Sequence, residues 1–188
     1  MSNKYVSILD DKDPALRKKS ELVTLPLSKK DTQTLTNLLK YITDSHDEAL
    51  KEKYNLLPAS GLAAPQIGIN RCLITVFIEE EVGDELIERK FALANPKVIS
   101  HSEQMAYLET GEGCLSVKEV HEGYVPRHAR VTISGYDLFT QQMIKIRAKG
   151  YLAIVLQHEI DHLSGILFYD RINKDNPFHE IEGAIVIE

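Results

Sequence analysis

The sequence predicts an α+β fold in which antiparallel sheets pack around a central helix carrying His158-Glu159-Ile160-Asp161-His162, with a second helix near the N-terminus. Three observations point there. Helical spacing of apolar residues occurs near the N-terminus, strand-like β-branched runs occupy the middle, and the apolar stretch Gly150–Gln157 leads directly into the histidine run.

The elements follow in chain order. Ser28 and Asp31 approximate a capping box, and Leu35, Leu38, Leu39 and Ile42 follow at helical spacing, so a first helix is predicted to run to about Leu50. Lys51–Pro58 is predicted as a loop. Strands are predicted at Cys72–Phe77, Phe91–Ala94, Lys97–Ser100, Gln104–Leu108, Ala129–Tyr136 and Gln142–Ala148. Gly135 to Thr140 reads as a hairpin turn, and the acidic run Glu79–Glu85 as a solvated loop between strands. The helix of the histidines runs from about Lys149 to Ser164, with Gly165 where a helix end favours a left-handed residue. Gly183–Ile187 is β-branched and closes the chain as a strand.

Length and composition bound the possibilities. At 188 residues, one domain spanning 1–188 is expected, long enough to bury a sizeable core. No apolar stretch approaches the ~20 residues that span a bilayer. Met1–Tyr5 lacks the apolar centre of a signal peptide, so a cytoplasmic protein without membrane attachment is expected. A formal charge of −6 argues against broad affinity for nucleic acid, and specific nucleic-acid binding is not expected. Two cysteines provide no disulfide framework.

His158 and His162 stand four residues apart, on one face of a helix, where their imidazoles can grip one divalent metal ion. Glu159 lies one step round and can reach a water at that metal without being a ligand. A catalytic site of this type uses three protein ligands. The pattern HExxHxxGxxH fails, because Phe168 stands at its last position. Glu180 and Glu182 lie at a workable distance downstream but in a stretch that reads as an edge strand. The remaining candidate is Cys114 in Gly111-Glu112-Gly113-Cys114-Leu115-Ser116, where glycines permit close approach; a metal-bound thiol is deprotonated outright. Cys72 lies in a strand-like run and reads as a small buried hydrophobe. In Ser60-Gly61-Leu62-Ala63-Ala64-Pro65-Gln66-Ile67-Gly68, the one long polar side chain is Gln66, whose amide can donate to a polarised oxygen. A zinc endopeptidase using Glu180 or Glu182, and a purely structural metal site, are the rival readings. Tyr151, Ile154 and Val155 precede His158 by seven, four and three residues, share its face and would line a pocket beside it.

Gly61-Leu62-Ala63-Ala64-Pro65-Gln66, Glu112-Gly113-Cys114-Leu115-Ser116 and Gln157-His158-Glu159-Ile160-Asp161-His162, in this order, resemble the three motifs of peptide deformylase, and Asp13-Pro14-Ala15-Leu16-Arg17 agrees. The resemblance implies an enzyme that removes the formyl group from the N-terminal formyl-methionine of new proteins. It implies metal ligation by Cys114, His158 and His162, proton transfer by Glu159, and an oxyanion site made by Gln66 and the backbone N–H of Leu115. Gly61 would accept the substrate backbone, and Ser60 would sit near the methionine pocket walled by Tyr151, Ile154 and Val155. The implied metal is Fe²⁺ in the cell, with Zn²⁺, Ni²⁺ or Co²⁺ able to replace it. The implied partners are formyl-methionyl nascent peptides, with transient ribosome contact. A terminal strand and a longer loop before the first motif resemble the second bacterial class. Where the family's first motif opens with Gly-x-Gly, this chain has Ala59-Ser60-Gly61, which bears on substrate preference.

Overall fold

The computed structural model describes residues 4–83 and 85–188. The helices are α1 (Lys29–Asp44), α2 (Glu48–Tyr54) and α3 (Gly150–His162). The strands are β1 (Gly61–Ala63), β2 (Leu73–Val82), β3 (Glu85–His101), β4 (Met105–Leu108), β5 (Arg127–His128), β6 (Arg130–Asp137), β7 (Gln142–Lys149) and β8 (Ile185–Ile187). β1-β2-β3-β6-β7 form an antiparallel sheet, and β5-β4-β8 a smaller one. The smaller sheet corrects the expectation of purely antiparallel pairing, because β8 runs parallel to β4, with Ala106 opposite Ile185. A parallel partner can arrive from far along the chain, and here the whole of α3 lies between the two strands.

Alternation along the strands assigns the two faces of the large sheet. Ile74 and Val76 of β2, Leu93 of β3, Val131 and Ile133 of β6, and Ile146 and Ala148 of β7 face α3, where they meet Leu152, Ala153 and Leu156. Leu73, Phe77, Ala92 and Ala94 face the other way and meet Leu35, Leu38 and Ile42 of α1. Leu156 is fully buried, so Leu156→Ala would cost about 2–5 kcal/mol.

Ser28 caps α1, its hydroxyl accepting from Asp31 N at 3.1 Å and donating to the Asp31 carboxylate at 2.6 Å. The helix does not continue to Leu50. Ser45 Oγ donates to Ile42 O at 2.7 Å, and Asp47 accepts from Leu50 N at 2.9 Å, so one helix stops and another starts. Short polar side chains that compete for the backbone produce this break. Part of the expected Lys51–Pro58 loop is therefore helix, ended by Asn55 at φ 50°.

The acidic run is strand rather than loop. β2 reaches Val82 and β3 begins at Glu85, in a ribbon whose solvated faces tolerate charge, and Arg89 answers Glu80 at 3.2 Å. Asp84 lies outside the described residues. Phe91–Ala94 and Lys97–Ser100 belong to one strand with a register shift between them. At that shift Asn95 takes φ 51°, and its side-chain amide bonds both Val23 N and Val23 O. Gly165 ends α3 at φ 71°; a Cβ there would lie 2.5 Å from Arg17 O, so turn and packing both require glycine. No helix among the described residues is long and apolar enough to cross a membrane.

Candidate functional site

α3 is buried on nearly every side, and its C-terminal turns carry polar groups into the interior. Its apolar residues are held by the sheet, which fixes the rotation of the helix and aims His158, Glu159 and His162 at β1 and at the loop that follows β4. That loop delivers Cys114. One ligand atom each from Cys114, His158 and His162 lies within 4.8 Å of the others, and Cys114 Sγ is 3.4 Å from His162 Nε2. One thiol and two imidazoles at this separation fit a divalent ion of borderline softness. Glu180 and Glu182, the alternative third ligands, are exposed and outside this group.

A chain of buried charges backs the histidines. His158 Nδ1 is 2.8 Å from Glu112 Oε2, which directs Nε2 toward the cavity. Glu112 accepts from Nε and Nη2 of Arg127, both at 2.8 Å, a bidentate pairing. Nη1 of Arg127 bonds Asp161, which also accepts two bonds of 2.6 Å from Arg171. Arg127 is 2 % exposed. Each charge meets an opposite one, which such burial requires. Burial pushes the Glu112 carboxyl up, but Arg127 and His158 outweigh it and hold it at about 2. Burial disfavours the charged form of His158, yet Cys114 and Glu112 raise it well above the usual histidine value. His162 Nδ1 has no hydrogen-bond partner among the described residues, and burial, with His158 and Arg127 nearby, lowers it well below the usual histidine value.

Glu159 is 3 % exposed, and its Oε2 has no hydrogen-bond partner among the described residues. Burial raises its carboxyl to about 7. It packs against Gly61, where an added Cβ would lie 2.4 Å from Glu159 Oε1. Gln66 sits on the short 3₁₀ turn Ala64–Ile67 after β1. Its Oε1 accepts from Ala63 N at 2.8 Å, which orients the amide so that Nε2 reaches Cys114 Sγ at 3.4 Å and Ser116 Oγ at 3.3 Å.

Gly61, Gln66, Cys114, His158 and Glu159 share a cavity of about 480 Å³ with Leu115, Ser60, Tyr151, Ile154 and Val155, so every site residue that the resemblance implies lines it except buried His162. Ile154 and Val155 are core and wall at once, being 2 % and 7 % exposed, whereas Tyr151 stands at the rim. Ser60 Oγ and Tyr151 OH meet there at 2.9 Å, joining the entry to β1 with the first turn of α3. Sequence reasoning assigned no role to Glu112, Arg127, Asp161 or Arg171. Glu112 and Asp161 lie inside the quoted motifs, but the two arginines carry no local signal and are found through folding alone. His46, another wall residue, was also missed.

Comparison with known proteins gives a consistent result. A family model described as polypeptide deformylase matches residues 5–178. Peptide deformylase 2 of Bacillus subtilis is 48 % identical over 182 residues, covering 97 % of each chain. Peptide deformylase 2 of Geobacillus stearothermophilus is 49 % identical over 180 residues, 96 % of each. Among solved structures, a Met-Ala-Ser-bound class I type b peptide deformylase from Acinetobacter baumannii superposes with a TM-score of 0.69 at 26 % identity, covering 89 % of this chain and 98 % of that one.

Proposed function

The chain belongs to the polypeptide deformylase family, a hydrolase removing the N-terminal formyl group, and we propose that Cys114, His158 and His162 are its metal ligands, Glu159 its proton carrier, and Gln66 with the Leu115 N–H its oxyanion donors. The family is metal-dependent, and the convergent thiol and imidazoles suit that need. A divalent ion held there would supply Lewis-acid chemistry, lowering the pKa of water and polarising the formyl oxygen.

The residues of the chain do the rest. Glu159, raised to about 7, takes a proton from the attacking water at its unpartnered Oε2 and returns it to the departing amine. Negative charge grows on the formyl oxygen as the carbon becomes tetrahedral. The Gln66 amide, fixed by Ala63 N, and the Leu115 N–H bear on that oxygen; one such donor is worth about 2.7–4 kcal/mol. Gly61, at the start of the edge strand β1, lets the substrate backbone add alongside. Ile154, Val155 and Tyr151 offer an apolar wall to the methionine side chain, with Ser60 at its rim. The Met-Ala-Ser peptide bound by the Acinetobacter relative supports this reading of the substrate.

The observation that carries the proposal is the convergence of the three ligand atoms with a buried carboxylate that has no other partner in the same cavity. Release of the free N-terminal amine from formyl-Met-Ala-Ser, acetyl-Met-Ala-Ser and formyl-Asp-Ala-Ser peptides tests it. Formyl-methionyl peptide is expected to be cleaved, acetyl-methionyl rejected and formyl-aspartyl disfavoured; comparable specificity constants for all three would overturn it.

We further propose Fe²⁺ as the cellular metal. Activity should then decay in air and survive oxygen-free, reducing handling, whereas zinc- or nickel-loaded enzyme should be air-stable. A fully active aerobic preparation holding only zinc would count against iron. A nascent-chain substrate supports a cytoplasmic reaction with transient ribosome contact.

A further inference from the structure

α1 packs mainly over β1, β2 and β3, and beyond Tyr136 of β6 the same face of the sheet continues across β6 and β7 with charged side chains. Its residues are set by register. Lys97 of β3 pairs with Ser134 of β6, which pairs with Lys145 of β7; Ser100 pairs with Thr132, which pairs with Arg147; Arg130 pairs with Lys149. Lys97, Arg130, Lys145, Arg147 and Lys149 are all exposed. None of the five is in a salt bridge among the described residues, although most other arginines near carboxylates in this acidic chain are paired. Along β7 the cations alternate with buried Ile146 and Ala148, so they stand about 7 Å apart on one side. Thr132 and Ser134 of β6 lie between the β3 and β7 rows, and Ser100 lies beside Thr132. Ser100, His101, Arg130, Thr132, Arg147 and Lys149 together line a concavity of about 500 Å³.

We infer that this sheet face docks on the phosphate backbone of structured RNA, and that the RNA is that of the ribosome. The charge complementarity is specific to a polyanion. Five cations spread over three strands exceed what one small anion can reach, and the interleaved hydroxyls can bond phosphate oxygens and 2′-hydroxyls. The patch reads backbone, not base sequence, so it is compatible with a chain whose net charge is −6. The identity of the RNA rests on the deformylase reading, since formylated chains emerge from the ribosome. α3 lies on the opposite face of the sheet, so a docked surface would leave the cavity free to receive peptide.

The test uses metal-loaded full-length enzyme and a fluorescent RNA hairpin, followed by anisotropy across a salt series, with co-sedimentation on purified bacterial ribosomes. Wild type is expected to bind with a log–log salt slope of about −2 to −4. Arg130→Gln/Lys145→Gln/Arg147→Gln is expected to lower the slope by about 2, to weaken hairpin binding at least about tenfold, and to reduce ribosome co-sedimentation. Formate release from a free formyl-methionyl tripeptide is expected to be unchanged. If the triple variant melts early, Lys97→Gln/Lys145→Gln should give a smaller loss in the same direction. Wild type that releases formate but binds no RNA would overturn the surface and leave the reaction standing. RNA binding equal in wild type and variants, or binding to phosphatidylglycerol vesicles without binding to RNA, would also overturn it. Absent formate release would fault the enzymatic reading instead.

Discussion

Glu159 is buried, lacks a partner for Oε2, and is confined by Gly61, which has no side chain to displace it. Gly61→Ala would drive a methyl group into Glu159 Oε1, Cδ and Cγ, so the carboxylate must move. A displacement of about 1 Å in a reacting group can cost about 10²-fold, and Gly61→Ala should lose about that in kcat while retaining its metal. Formate-release kinetics with metal analysis would check it; wild-type kcat would show that the contact is idle. Glu159→Gln keeps the shape and removes the base, so turnover should fall about 10²–10⁴-fold with metal still bound. Near-normal turnover in metal-replete protein would remove Glu159 from the mechanism. Glu112→Gln removes the negative charge that faces both His158 and Arg127. Metal affinity should drop about 10–100-fold, measured by competition with a chelating dye.

The pair formed by Asp31 and Arg71 shows how a helix end acquires pH dependence. Burial pushes the Asp31 carboxyl up, but the Ser28 hydroxyl and Arg71 outweigh it and hold it below the ordinary aspartate value. A depressed folded value means stability that is present above the unfolded pKa, about 3.9, and lost as pH falls through the folded one. Arg71 Nε stands 3.3 Å from Asp31 Oδ1 with its side chain about a third exposed, so screening limits the pair to about 1 kcal/mol. Asp31→Asn should therefore melt below wild type at neutral pH, and the gap should close in strong acid. Thermal melts across that range decide it; a gap independent of pH would assign the effect to packing. At the same scale, the break between α1 and α2 was hidden because Leu35, Leu38 and Ile42 continue the apolar rhythm up to it, and a single serine hydroxyl turned onto the backbone stops the helix.

At the scale of the molecule, α3 is anchored by Leu152, Ala153 and Leu156 against the sheet, independently of any ligand at its other face. Stripping the metal should abolish formate release and lower the melting temperature, because binding to the folded state alone stabilises it. It should not unfold the chain at room temperature. Circular dichroism before and after chelation would check this, and loss of the helical signal on chelation would mean that the metal centre, not the apolar core, holds α3.

By itself the sequence determined the elements whose signals are local and periodic: α3 with its two histidines on one face, the N-terminus of α1 at Ser28, most of the strands, and the glycine at 165. It also pointed to the family, because three motifs in order resemble peptide deformylase, whose family model matches residues 5–178. Tertiary structure alone decided which distant residues meet. Arg127 is an ordinary arginine in the sequence; in the fold it is buried between Glu112 and Asp161, and it ties the cysteine loop to the helix of the histidines. Ser60 meets Tyr151 across 91 residues, and the cations of β3, β6 and β7 become one surface only through strand register. Periodicity records which side of an element is wet or dry. It carries nothing about which other element arrives on that side, since that depends on the order of strands and the closure of long loops.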